Sequence, residues 1–247
     1  MYFDSHIHTD GLGFSELKKL NDAGVTKVCS PSFYPVRPNY PQTMIDVFRK
    51  LTEFEVDRCK LAGIEMYPAV GIHPRCIPPN FELVLEYLES RDWIAFGEIG
   101  LEDLTETEMD VLERQLRIAM EKDIPCVIHT PRKNKRDATK ATLRILEKIN
   151  FPEDLAVIDH TNFDNLDLVI KSGYWIGLTV QPGKLSVNEV VRIVRENGVE
   201  RFMLNSDAGY KDMQFTSVPD AARELEKAIG IEGRKIYYEN ASKFFRV

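Results

Sequence analysis

A (β/α)8 TIM barrel of the α/β class, running as a single domain from residue 1 to residue 247, is the fold this sequence predicts. Three observations predict it: short β-rich runs recur about every 30 residues, a helical pattern follows each run, and all five histidines fall at the ends of runs. Strict alternation of this kind calls for parallel strands joined by right-handed crossovers, and eight such units close a barrel. The competing arrangement is an open, doubly wound sheet.

The runs cover residues 2–8, 25–33, 66–74, 93–101, 125–131, 155–161, 174–180 and 201–209. Each is rich in Val, Ile, Phe, Tyr and Ala and ends in Gly, Pro, Thr or polar residues, the pattern of a buried strand bounded by turns. Helical patterns occupy residues 13–24, 41–63, 81–90, 105–123, 135–150, 165–173, 186–198 and 218–230. In the fourth of these, Met109, Leu112, Leu116, Ala119 and Met120 follow the i, i+3, i+4 spacing of a half-buried helix. Thr105 and Glu108 have the spacing of a capping box at its start. Gly24, Gly63, Gly173, Gly198 and Gly230 stand where helix C-termini need left-handed residues.

Composition narrows the function classes. No run approaches the roughly 20 apolar residues of a membrane span, so no membrane association is expected. The opening MYFDSH lacks the basic and apolar regions of a secretory leader. Cys29, Cys59, Cys76 and Cys126 are scattered, matching neither a disulfide framework nor a CxxC site, which predicts reduced thiols and a cytoplasmic location. A formal charge of -7 disfavours a broad nucleic-acid-tracking surface, though a local basic patch could still hold one phosphate. Nothing points to an obligate protein partner.

Barrel enzymes carry their chemistry at the C-terminal ends of the strands. His6 and His8 end the first predicted strand, His73 the third, His129 the fifth and His160 the sixth, while Glu98 lies near the end of the fourth and Asp207 at the end of the eighth. Side chains alternate along a strand, so the H-x-H of His6 and His8 puts both imidazoles on one face. Two neutral imidazoles so placed can ligate a divalent cation at about 2.0–2.1 Å. Alone, such a pair would read as core or surface. The candidate ligands His6, His8, Glu98, His129, His160 and Asp207 exceed the needs of one ion, which suggests two ions sharing a bridging carboxylate about 3.5–4 Å apart. Glu98 is the natural bridge. The histidines suit Zn, and the carboxylates also admit Mn, Mg, Ni or Fe.

The ordered motifs DSHIH, GIHP, GEIGL, VIHT, DHTNF and SDAG, spanning residues 4 to 209, resemble the TatD family of metal-dependent hydrolases within the amidohydrolase superfamily. YYENASKFF (237–245) is similar to that family's closing helix. The resemblance implies that His6, His8 and Asp207 bind one ion, His129 and His160 the second, and that Glu98 bridges. It also implies His73 on the substrate side. The sequence departs from the family pattern at Pro131, where an arginine is usual and is displaced here to Arg132, and in HTNFD and SDAGY. Those departures bear on the substrate more than on the metal.

The mechanism follows from charge. Water beside two cations ionises near neutral pH and attacks an electrophile, with Asp207 accepting the water proton for transfer to the leaving group. Asp207 and Glu98 are therefore the catalytic candidates, with a purely ligating role for Asp207 as the plainer reading. His73, Arg75 and Arg132 are candidates for substrate binding; His73 could equally be structural. RKNKR (132–136) either clamps a phosphate or is a solvated loop. Asp4 orients a ligand imidazole or makes a core hydrogen bond, and Asp159 points away. Two enzymatic readings result: a phosphodiesterase or 3'-end exonuclease acting on nucleic-acid ends, and a hydrolase of an ester, lactone or amide in a small metabolite. A metal-loaded binding protein without turnover is a third.

Overall fold

The structure is a computed structural model that describes residues 1–210 and 214–247. Its chain order begins with β1 (Tyr2–Asp4), α1 (Phe14–Asp22), β2 (Val25–Pro31), α2 (Pro41–Arg49), α3 (Val56–Leu61), β3 (Glu65–Val70), α4 (Glu82–Glu89) and β4 (Ala95–Gly100). It continues with α5 (Glu106–Lys122), β5 (Cys126–His129), α6 (Lys135–Lys148), β6 (Ala156–Ile158), α7 (Leu166–Ser172), β7 (Trp175–Thr179), α8 (Val187–Asn197), β8 (Phe202–Asn205), α9 (Ser217–Ile229) and α10 (Asn240–Phe245). The sheet runs β1 through β8 in sequence order. With a helical segment after each strand, this is the predicted (β/α)8 class.

By internal packing the described residues form two compact units. The first comprises Met1–Ser30, Glu53–Tyr67 and Ile176–Val247. Its core holds Phe3, Leu17, Leu20, Met203, Leu204, Leu225 and Ile236, all fully buried, with the Phe3 ring stacked 5.7 Å from Phe245. Here the first and last strands meet: Ser5 N–H donates to Leu204 O at 3.2 Å, Asp207 N–H to His6 O at 2.8 Å and His8 N–H to Ala208 O at 2.8 Å. Gly209 makes that approach possible, because a Cβ there would collide with the His8 carbonyl. α10, in the segment expected to be the closing helix, donates from Asn240 Nδ2 to Val199 O and Phe202 O at 2.9 and 2.8 Å, which ties it to β8.

The second unit comprises Pro31–Thr52 and Pro68–Trp175. β3 to β6 pair parallel, and Phe96, Ile99, Leu116, Ile128, Leu146 and Ile158 fill its core. Gln115, buried on α5, accepts from Ile72 N–H at 2.7 Å and donates to Ile72 O at 3.2 Å, which fixes the exit of β3.

Several boundaries differ from the sequence expectation. The predicted strands outrun the sheet pairing: β1 stops at Asp4, β3 at Val70, β6 at Ile158 and β8 at Asn205. His6, His8, His73, His160 and Asp207 therefore stand on the exit segments rather than in the strands. The physical reason is plain at His160 and Asp207, whose φ values of +56° and +49° take the backbone out of extended geometry. The helix expected over 41–63 is interrupted by a π-helical segment, Lys50–Glu55. All five glycines expected to end helices do have positive φ.

Candidate functional site

The first unit gathers His6, His8 and Asp207. Each lies just beyond a strand, and the β1 and β8 exits are bonded to each other through backbone amides. Asp4 reinforces that joint: its Oδ1 accepts from His6 N–H at 3.3 Å and Ser206 N–H at 3.0 Å. Among the described residues its Oδ2 is buried without a hydrogen-bond partner. Burial pushes the Asp4 carboxyl up to about 7, against the pull of the Ser206 and His6 bonds. Of the roles expected for Asp4, the structure shows the core hydrogen bond.

The donor atoms converge. His6 Nε2 lies 3.3 Å from His8 Nε2, and Asp207 Oδ1 lies 3.6 and 3.3 Å from those two nitrogens. Ligands about 2.0–2.1 Å from a tetrahedral ion stand roughly 3.3 Å from one another. The spacing therefore fits a divalent cation. Asp207 divides its two oxygens: Oδ1 faces the imidazoles, while Oδ2 accepts from Lys184 Nζ. Lys184 comes from the turn after β7, where Lys184 N–H donates to Gln181 O at 3.0 Å and Gly183 adopts φ +79°. Beside His8, the Tyr210 ring lies 5.1 Å away and its hydroxyl hydrogen-bonds the Asp10 carboxylate at 2.8 Å.

The second unit gathers Glu98 on β4, His129 at the last position of β5, His160 after β6 and His73 after β3. Glu98 Oε1 lies 2.7 Å from His129 Nδ1 and 2.9 Å from His160 Nε2, while Glu98 Oε2 lies 3.8 Å from His73 Nε2. Donor atoms of His73, Glu98 and His129 all fall within 4.8 Å of one another, so His73 joins a metal-capable group. Its Nδ1 accepts from Arg75 N–H at 3.0 Å, which leaves Nε2 on the Glu98 side.

Charged residues hold this group as well. Lys135, buried at the start of α6, donates to Thr130 Oγ1 at 2.8 Å, Thr130 O at 3.3 Å and His160 O at 2.8 Å. Thr130 Oγ1 in turn donates to Asp159 O at 2.7 Å, so the β5 and β6 exits are joined beside the candidate ligands His129 and His160. Glu102 Oε2 meets His129 Nε2 at 2.8 Å. Burial alone would lower the His129 imidazole, but the charge of Glu98 and the Glu102 bond outweigh it and raise it above the ordinary histidine range. Burial raises Glu102, yet the bond to His129 brings it below the usual carboxylate range.

The arginine candidates lie further out. Arg75 is exposed, with its guanidinium 5.5 Å above the Phe33 ring. Arg132 is exposed in a surface cleft with Asn134, Lys135, Arg136, Asp137 and Asp164. Within RKNKR, Lys135 is committed to the backbone, and Arg136 pairs with both Asp167 oxygens at 2.7 and 2.9 Å. Sequence reasoning missed Glu102, Lys184 and Lys135. The available signal was a charged residue immediately beyond a predicted strand, as at Glu102, or within a QPGK turn, as at Lys184.

Comparison with known proteins gives one consistent result. The model of the family described as TatD related DNase matches residues 3–246. An uncharacterized metal-dependent hydrolase of Methanocaldococcus jannaschii is 35% identical over 252 residues, covering 99% of each chain. The crystal structure of a TatD-like protein from Archaeoglobus fulgidus superposes with a TM-score of 0.90 at 56% identity, covering 100% of both chains. A TatD homolog from Escherichia coli shares the fold, with a TM-score of 0.72 at 17% identity and coverage of 100% of this chain and 98% of that one.

Proposed function

This chain belongs to the TatD-related DNase family and is a metal-dependent hydrolase; we propose that it holds two divalent ions and hydrolyses phosphodiester bonds at nucleic-acid ends. The observation that carries the proposal is the pair of donor sets, His6, His8 and Asp207 in one unit and Glu98, His129 and His160 in the other, each mixing imidazoles with one carboxylate. That donor chemistry suits Zn and admits Mn, Mg, Ni or Fe. The sharing of Glu98 between the two ions is taken from the family pattern. We read the whole chain as one catalytic domain because a single family model runs through it, and we place it in the cytoplasm because its four buried cysteines are thiols.

When bound, divalent ions lower the pKa of water toward neutrality and offset charge developing on the substrate. The chain's own residues do the rest. Asp207 takes the proton released from the attacking water and returns it to the leaving oxygen. Glu98 keeps His129 and His160 aimed at one point, through Oε1. His73 offers Nε2 to a substrate oxygen, with Arg75 and Arg132 as outlying cations for a phosphate.

The test is cleavage of single- and double-stranded DNA by protein supplied with defined metals. Activity in the wild type and its loss in Glu98→Gln are the expected results. Metal-loaded protein that cleaves no DNA would overturn the phosphodiester reading. One observation favours a second reading, hydrolysis of an ester, lactone or amide in a small metabolite: Lys135 and Arg136 are engaged within the protein, which thins the cationic face a polyanion would need. Turnover of such a panel without nuclease activity would decide for it. Described helices contain no segment long and apolar enough to cross a membrane.

A further inference from the structure

We propose that Glu102 is a positioning residue that selects the tautomer of His129, keeping Nδ1 available as the ion-binding nitrogen. His129 lies between two carboxylates, Glu98 on Nδ1 at 2.7 Å and Glu102 on Nε2 at 2.8 Å. A neutral imidazole carries one proton, so two tautomers compete. If the proton sits on Nδ1 it faces Glu98, and the nitrogen on that side has no lone pair for a cation. If it sits on Nε2 it is donated to Glu102, and Nδ1 is free to ligate. Carboxylates that accept the outer N–H of a ligating histidine act in this way elsewhere, fixing the ring and raising its donor strength.

The loop that carries Glu102 is built to hold it there. Glu108, buried on the first turn of α5, accepts from Glu102 N–H at 3.1 Å, from Asp103 N–H at 3.0 and 3.2 Å, and from Leu104 N–H at 2.9 Å. Thr105 Oγ1 accepts from Glu108 N–H at 3.2 Å, half of the capping box its spacing announced. The other half is spent differently: the Glu108 carboxylate reaches back along the β4 exit. The chain from Thr105 to Glu108 to Glu102 to His129 thus runs from a helix cap to a candidate ligand. A glutamate with only a surface role would not need its backbone fixed by a buried carboxylate.

The inference rests on the two-ion reading for its metal consequence, and the experiment separates the two. The tautomer of His129 is read from imidazole 15N resonances of metal-free protein at a pH where the ring is neutral, in the wild type, Glu102→Ala and Glu102→Gln. Uptake of Co2+ is followed by absorption in the same three proteins. The wild type should show a larger share of Nε2–H than Glu102→Ala, which should shift toward Nδ1–H. It should also weaken one of two Co2+ uptake steps by about 10- to 100-fold while leaving the other unchanged. Glu102→Gln, whose amide oxygen still accepts from Nε2–H, should keep the tautomer and fall between. An unchanged tautomer in Glu102→Ala, or equal weakening of both steps, overturns the proposal. If the wild type takes up no Co2+, the two-ion reading fails while the 15N result still decides the role of Glu102.

Discussion

The two donor sets are each held by one acidic and one basic residue, and the roles of acid and base are reversed between them. In the first, a buried acid, Asp4, gathers backbone N–H groups, and a cation, Lys184, donates to Oδ2 of the candidate ligand Asp207. In the second, a buried cation, Lys135, gathers backbone carbonyls, and an acid, Glu102, takes the outer nitrogen of the candidate ligand His129. The charge of each holder is set by the group it holds: amides and imidazole N–H groups need an acceptor, while carbonyls and a carboxylate need a donor. The consequence is asymmetric. Glu102 adds negative charge beside one donor set, and Lys184 adds positive charge beside the other.

The largest expected effect removes the carboxylate at the centre of the second set. Glu98→Gln keeps the shape but loses the charge facing His129 and His160. Several kcal/mol of stabilisation at the reacting centre corresponds to a loss in kcat of about a thousandfold or more. Steady-state kinetics on whichever substrate is turned over would show it. A loss under tenfold would mean that the second set is not at the chemistry, and the comparison between two ligand sets would collapse.

The next effect sharpens the sign reversal. Glu102→Ala is expected to loosen its ion by about 10- to 100-fold, whereas Lys184→Met removes a like charge and should tighten the ion at His6, His8 and Asp207 by about tenfold. The same change should raise KM for an anionic substrate, and Lys184→Arg should restore it. Calorimetric titration with Zn2+ checks the first claim. Weakening in Lys184→Met would show that the lysine serves to orient Asp207 rather than to moderate its charge.

How far these features were legible in the sequence depends on what kind of contact makes them. The strands and their order could be read because β-rich runs and helical periodicity are local properties. His6, His8, Glu98, His129, His160 and Asp207 could be singled out as candidates because each falls at a predicted strand end, where barrel enzymes carry their chemistry. Exact strand limits could not, since the left-handed turns at His160 and Asp207 are imposed by their neighbours. Lys135 read as one member of a basic run, because its partners, the Thr130 hydroxyl and the carbonyls of Thr130 and His160, carry no signature in sequence. Glu108 read as a capping-box residue, and only the folded loop shows its carboxylate turned to residues 102–104.

A smaller effect tests whether burial is what makes these holders matter. Lys135→Met leaves the Thr130 and His160 carbonyls without their cation. Losing that cation costs about 1–3 kcal/mol, which for a chain of this size corresponds to a fall in Tm of roughly 2–12 °C by calorimetry.

The neighbouring Arg136–Asp167 pair is the control, with both side chains about half exposed, at 46% and 48%. The Arg136 bond is the main reason the Asp167 carboxyl is held down to about 2, against an opposing effect of desolvation. Because the folded value lies below the unfolded one, the pair's contribution is complete above the ordinary carboxylate range and is lost as pH falls through 2. Solvent screening keeps it small, so Asp167→Asn should move Tm at neutral pH by no more than about 1–2 °C. It should also lessen the loss of stability between about pH 4 and 2. If Asp167→Asn costs as much as Lys135→Met, then charge in this region matters irrespective of burial, and Lys135 loses its standing as the counterpart of Asp4.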